Sequence, residues 1–469
     1  MISSKPNSNP RSKPDSCNNH IPVDIQRRPQ YNQQVMSKEV LDFFSDIHAA
    51  RKSHPALAAF SEKAIHDFRC LGIPPVKHEE WKYTHVSKLF RNDLLCHAET
   101  PKLSPSDIDP YRLPGHDTAS ELVFVNGVYD QALSILRHRE EDVEILPLWK
   151  AAEGPHAEFI SKNLGHSASY HPDGINALNG AFASDGVFIM AKKGKSIVQP
   201  VYIYHVADSR NGFVFLQPRV LVHVEAAAQL QIAEQYISLG GNESFTNEVF
   251  ELVAGQDAVV DYYKIQDEGR LANHVGTTHI RQTGKCLTNA VTITLSGALI
   301  RNNLNMIMEA EHGESHLYGL YLLNDRTHAD NHTIVDNMQP HCFSNELYKG
   351  VMDDESEGVF NGKIFVRKDA QKTNAYQTNK NILVGAKSSA YTKPQLEIFA
   401  DDVKCSHGCT IGQLDDEALF YLRARGISEK NAKSLLLHAF AVDILKNIKP
   451  EPLRRHVDRL ISNRLEFNF

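Results

Sequence analysis

The densest group of ligating side chains is KCSHGCT, in which Cys405, His407 and Cys409 alternate with Ser406 and Gly408. Successive side chains of a β-strand point to opposite faces, so on a strand these three share one face. They would then stand about 6.8 Å apart in turn, so one ion reaches at most two of them and a complete mononuclear site needs ligands from elsewhere. Thiolate and imidazole are the soft-to-borderline ligands that iron–sulfur clusters and zinc take. The competing reading is an inward face on which the cysteines act as small hydrophobes. His328, Asp330 and His332 in RTHADNHT also alternate, with His312, His316 and His341 nearby in sequence. Surface or hydrogen-bonded histidines are the ordinary reading of that group. Asp401 and Asp402 resemble the acidic calcium-binding corner of a polysaccharide-cleaving β-helix enzyme, but adjacent strand residues point to opposite faces.

Other chemistries lack their signatures. The one GKS, Gly194–Ser196, has Ile189 where a P-loop needs its first glycine. The sequence contains no CxxC, HExxH or GxSxG. With 469 residues, 42% of them apolar, the chain can bury a large core in two to four domains. A formal charge of −7 with no basic run makes duplex nucleic acid a poor partner. Seven scattered cysteines read as reduced thiols. No run approaches the roughly 18 apolar residues of a membrane span, and no secretory h-region opens the chain. A cytoplasmic protein without membrane contact is expected.

The elements that must position the ligands change character along the chain. Residues 1–35, rich in Ser, Asn, Pro and Gln, are expected to be disordered, with Met36 a candidate start. Residues 36–110 form a helical region: Val40, Leu41, Phe44 and Ile47 keep helical spacing, and Pro55 and Gly72 bracket a second helix. Residues 111–199 are mixed, with a strand-like ELVFVNGVYD. From 200 to 411 the texture is alternating and β-branched. Ala226, Gly255, Gly284 and Gly313 recur every 29 residues, each just before a strand-like run. That period suggests a β-helix whose glycines turn the chain where a side chain would clash. A sandwich with coincidentally spaced turns is the alternative. Residues 412–469 return to helix: one closes at Gly426, Ser428 caps the next, and Pro450 breaks before the last. Ala432, Leu435, Leu436, Ala439 and Phe440 make an apolar stripe on the second of these, and Leu453, Val457, Leu460 and Ile461 on the third.

Several long segments then carry a family resemblance: IRNNLN, LYGLYLL, RTHADNHT, HCFSNELYKGV, FNGKIFVRKDAQKTNAYQTNKNIL and KPQLEIFADDVKCSHGCTIGQLDDEALFYLRARGI. They resemble the SufB/SufD family, and ADDVKCSHG with GQLDDEALFYLRARGI resembles its SufD branch. HEEWKYTHVSKLF, His78–Phe90, is similar to the N-terminal region of that branch. The resemblance covers about Met36 to Leu460. It implies a mostly β fold, a right-handed parallel β-helix flanked by N- and C-terminal helical regions, in agreement with the repeat. It implies a non-enzymatic scaffold of iron–sulfur cluster assembly, linked to iron acquisition. The implied partners are a SufB-like paralogue and a SufC-like ABC ATPase docking on 412–469, with Leu435, Leu436, Ala439 and Phe440 as candidate contacts. His407 and Cys405 map onto the candidate cluster or metal ligands. Cys409 departs from the family pattern, where a small residue is usual, and is a weaker candidate. No tightly bound cofactor is implied for the isolated chain, only a transient cluster or iron in the complex. A homodimeric β-helix interaction protein without cluster chemistry, and a polysaccharide-acting β-helix enzyme, are the competing classes.

Overall fold

The structure is a computed structural model that describes residues 38–465 except 52, 76, 91–94 and 97–101. The extension expected to be disordered, 1–35, lies outside the described residues. The centre of the chain is strand after strand, from Val201–Asp208 through Ala272–Gln282 to Lys404–Gly412. Consecutive strands join opposite sheets, and from Gln229 onward each pairs in parallel with the strand two places further on. The result is a two-sheet β-solenoid of about eight turns, with helical regions at both ends of the sequence. Leu299 pairs with His328 and His328 with Glu357, each one step of 29 residues. The step shortens to 26 at Asn273–Leu299 and lengthens to 32 at Glu357–Ser389, the corners absorbing the difference.

Strand alternation sends every second residue into the lumen between the sheets. Val222, Leu252, Ile280, Met306, Val335, Ile364 and Leu396 form one such inward column, each in register with the next. All belong to or pack on one continuous core. Burying an aliphatic side chain of this size contributes about 1.5–3 kcal/mol, so each coil is stabilised mainly by its neighbours.

The corners use two devices. Left-handed backbone falls on non-glycine residues, among them Ala227, Asp257, His312, His341 and Lys372, with φ between 56° and 63°. Each sends its N–H across to a carbonyl of the next coil, as His341 does to Gln371. The repeating glycines serve the other need, close approach. A Cβ on Gly284 would lie 2.5 Å from the Gln256 backbone, and one on Gly255 3.2 Å from Ala226 N.

The N-terminal helices run Lys38–Ala50 and Pro55–Leu71, the second opened by its proline and closed by Gly72 at φ 65°. The second packs on Gly174–Ala181, where Gly174 faces the Gly72 carbonyl too closely for any Cβ. The ELVFVNGVYD segment is a hairpin: Ser120–Val125 and Val128–Ile135 flank Asn126 and Gly127 at φ 47° and 85°, the Asn-Gly turn that matches strand twist. Ser120–Val125 also pairs in parallel with Val201–Asp208, so the solenoid reaches back into 111–199. After the last strand come Asp416–Ala424, Glu429–Leu445 and Glu451–Arg464. Leu437, Ala441, Ile444, Leu453, Val457 and Ile461 pack the last two against the outer face of one sheet, at Leu320, Leu322 and Val351. Among the described residues no helix is long and apolar enough to cross a membrane.

Candidate functional site at the open end of the solenoid

Each sheet finishes on a strand with one neighbour, Ser389–Ile398 in one and Lys404–Gly412 in the other. They are the two halves of the last coil, so the solenoid ends on two adjacent free edges. Rows of unpaired N–H and C=O groups there are a template for another chain.

The candidate ligands of KCSHGCT lie on that last coil. Cys405, His407 and Cys409 stand in register with Ala375, Gln377 and Asn379, all three of them buried lumen residues. The three candidates do share a face, and it is the inward face. It is open because no coil covers it: His407 and Cys409 are exposed and Cys405 is half-buried against the core. The cysteines thus face the lumen at the point where the lumen ends. Burial pushes the Cys405 thiol up, with the Ala375 N–H acting against it, so metal binding there would have to displace a proton. Among the described residues no three His, Cys, Asp or Glu converge closely enough to hold a metal ion.

The sequence gives no hint of the polar column beneath His407. Gln377 sits one coil below it and Glu346 two coils below, in register, and Gln377 Nε2 donates to Glu346 Oε2 at 2.8 Å. Burial pushes the Glu346 carboxyl up to about 7. In sequence these residues look like ordinary surface polar groups; only their spacing of one coil from His407 could have marked them.

The RTHADNHT face has a different task. Thr84 bonds His328 at 2.9 Å and also Asp330, while Arg301 reaches Asp330 at 2.8 Å and the Glu80 carbonyl at 2.7 Å. The Arg301 guanidinium lies 3.9 Å over the Trp81 ring, and His332 meets Asp330 at 3.0 Å. Further along, Lys393 pairs with Glu79 at 2.7 Å and Tyr391 stacks on Tyr83 at 4.7 Å. With Lys363 of Glu357–Val366 also reaching Glu80 at 3.5 Å, the HEEWKYTH segment clasps the outer face of four successive strands, the last being the free-edged Ser389–Ile398. Of the other histidines, His312 and His341 stack at a corner, 4.8 Å apart, and His316 pairs with Glu314 at 2.8 Å. Asp401 and Asp402 lie in the bend before Lys404–Gly412, not on a strand.

On Glu429–Leu445 the face against the sheet is Leu437, Ala441 and Ile444. Leu435 and Leu436 are half-buried and Ala439 is exposed. Phe440 is tied to the solenoid instead: Lys349 Nζ donates to its carbonyl at 2.9 Å and lies 4.4 Å over its ring. Phe420 and Tyr421, on Asp416–Ala424, are 73% and 57% exposed.

Residues 35–203 match the model of the SufBD protein N-terminal region, and residues 205–440 match that of the SUF system FeS cluster assembly SufBD core domain. The chain belongs to the SufBD family. An iron–sulfur cluster assembly SufBD family protein of Synechocystis is 31% identical over 403 residues, covering 84% of this chain and 88% of its own. The iron–sulfur cluster assembly protein SufD of Escherichia coli is 30% identical over 401 residues, 84% of this chain and 90% of its own. A chloroplastic protein of Arabidopsis thaliana, ABCI7, is 28% identical over 287 residues, 59% and 60% of the two chains. The SufBD core match spans the solenoid from His205 and runs through the open end into Glu429–Leu445.

Proposed function

We propose that this SufBD chain is a scaffold subunit of the SUF iron–sulfur cluster assembly complex and performs no catalysis of its own. The observation that carries the reading is the unfinished last coil. Two free strand edges flank a lumen end that presents Cys405 and His407, with no complete ligand set there among the described residues. A paralogue with free edges of the same kind, SufB-like in this reading, would extend both sheets by main-chain hydrogen bonds and bring the remaining ligands. The cluster, or the iron acquired for it, is cargo held across that interface for a time. Cys409 lies further along the same face, one strand repeat beyond His407.

A SufC-like ABC ATPase would bind the C-terminal helices at Leu435, Leu436 and Ala439, with the exposed Phe420 and Tyr421 enlarging the surface. Phe440 would act from beneath, since its contact with Lys349 couples that helix to the sheet. ATP hydrolysis then belongs to the partner, in keeping with the missing P-loop. Movement of the ATPase, passed through these helices, would shift the interface and expose the ligands. The setting proposed is the cytoplasm.

The test is anaerobic co-purification of the chain with SufB-like and SufC-like partners. Truncation after Ile411 would uncover Leu320, Leu322 and Val351, so point variants are the cleaner tool. Phe420→Glu with Tyr421→Glu is expected to lose the ATPase alone. Thr410→Pro, on the free edge, is expected to lose the paralogue. A chain that purifies as a homodimer whichever partner is supplied would favour self-pairing through the same edges and defeat the scaffold reading.

A further inference from the structure

The Glu346–Gln377–His407 column bears on how the imidazole is held. Gln377 is 2% exposed and Glu346 1% exposed, both inside the lumen. A carboxamide carries its nitrogen and oxygen on diverging bonds. With Nε2 bound to Glu346 one coil down, Oε1 is turned away from that coil. This carbonyl oxygen is buried and has no hydrogen-bond partner among the described residues. Burying an acceptor unpaired costs about 1–3 kcal/mol, so a donor is to be expected from the coil above.

The space around the amide is kept for it. A Cβ on Gly362 would come within 2.3 Å of Gln377 Nε2. Pro394, in register with Gly362 on the last coil, offers no N–H. The neighbouring Asn379 amide is already donating, to Tyr321 Oη at 3.0 Å and the Tyr348 carbonyl at 3.3 Å. The in-register side chain above Gln377 is His407, one strand spacing of about 4.8 Å away. Its imidazole supplies a ring N–H donor on that coil.

We propose that Gln377, anchored by Glu346, is a positioning residue for His407: its carbonyl accepts one ring N–H and leaves the other nitrogen unprotonated, facing out of the open end. Imidazole binds metal only through an unprotonated nitrogen, and the hydrogen bond at the other nitrogen decides which one that is. The inference rests on the reading of His407 as a ligand only for its purpose; the hydrogen bond itself is tested separately.

The experiment is nitrogen NMR of the full chain labelled at histidine, with the His407 resonances identified by their loss in His407→Ala. The expected result is two well-separated ring nitrogens, one protonated and one not. Gln377→Met should at least halve that separation, as tautomers average. Thr392→Val, which removes an unpaired buried hydroxyl of the last coil, should leave it unchanged. An unchanged separation in Gln377→Met overturns the proposal. Should that variant not fold, Glu346→Met decides, because it releases the amide; an unchanged separation there overturns it equally. Iron and sulfide content of the assembled complex is read apart from this. An unaffected yield in His407→Ala removes the ligand reading and leaves the tautomer result standing.

Discussion

Lys264→Met should be one of the most damaging single substitutions in the solenoid, and its partner substitution should undo much of the harm. Lys264 Nζ donates to Glu248 Oε2 at 2.7 Å inside the lumen, with side chains 2% and 0% exposed. His274 stands 3.9 Å from the same carboxylate and 3.0 Å from Glu268. Gly276 makes the room, since a Cβ there would lie 2.5 Å from Nζ and 2.6 Å from Oε2. Removing one partner of a buried ion pair strands the other charge and costs about 3–5 kcal/mol, roughly a hundred- to several-thousand-fold in the unfolding equilibrium. Replacing both by apolar groups is close to neutral. Lys264→Met should therefore lose that amount in guanidinium unfolding followed by circular dichroism, and the double variant with Glu248→Met should regain at least half. The pH dependence should change sign as well. Burial alone would raise the Glu248 pKa, but Lys264 and then His274 hold it below the ordinary carboxylate range. That contribution is present above the unfolded pKa of about 4.3 and lost as pH falls through the folded value. Without Lys264 the burial effect dominates, the folded pKa rises, and the variant should be more stable at pH 5 than at pH 7.5. A single variant no less stable than the double, or one with the pH response of the unaltered chain, refutes the reasoning.

Three further outcomes are expected. Glu346, pushed up to about 7 by burial, favours the fold while protonated, so its contribution is present below about pH 4.3 and lost as pH rises through 7; Glu346→Gln should flatten that part of a stability–pH profile and gain up to about 3 kcal/mol at pH 8. Gly350→Ala places a Cβ 2.1 Å from the Tyr321 ring and 2.5 Å from Asn381 Oδ1, and should cost about 1–3 kcal/mol, measured as a lowered denaturation midpoint. Lys349→Met removes the donor to Asp443 at 2.8 Å and to the Phe440 carbonyl; hydrogen exchange across Glu429–Leu445 should quicken roughly tenfold or more while Ser315–Leu323 stays protected.

The solenoid was legible because its corner residues repeat at 29 between Ala226 and Gly313, where the coils are regular. The register step itself is less even, shortening to 26 within that stretch at Asn273–Leu299 and lengthening to 32 beyond it at Glu357–Ser389. Residues 111–199 resisted reading for a topological reason: Ser120–Val125 pairs with a strand beginning at Val201, and sequence spacing does not reveal contacts that distant. The shared face of Cys405, His407 and Cys409 follows from strand alternation alone. Which way the face points, and that it ends open, depends on register with Ala375, Gln377 and Asn379. Glu429–Leu445 is apolar nearly all round, so periodicity marked Leu435, Leu436, Ala439 and Phe440 without showing that Leu437, Ala441 and Ile444 are the residues buried against the sheet. Phe420 and Tyr421 carried no mark in the sequence and are exposed in the fold.

The central claim, that the open end of the solenoid supplies a cluster ligand across a paired interface, is tested most directly by iron and sulfide analysis of the anaerobically assembled complex. The unaltered chain is compared with His407→Ala and Cys409→Ala at equal partner stoichiometry. The account predicts a several-fold loss of both elements in His407→Ala and little change in Cys409→Ala, with complex formation intact in each. Full iron and sulfide content in the His407→Ala complex would contradict it.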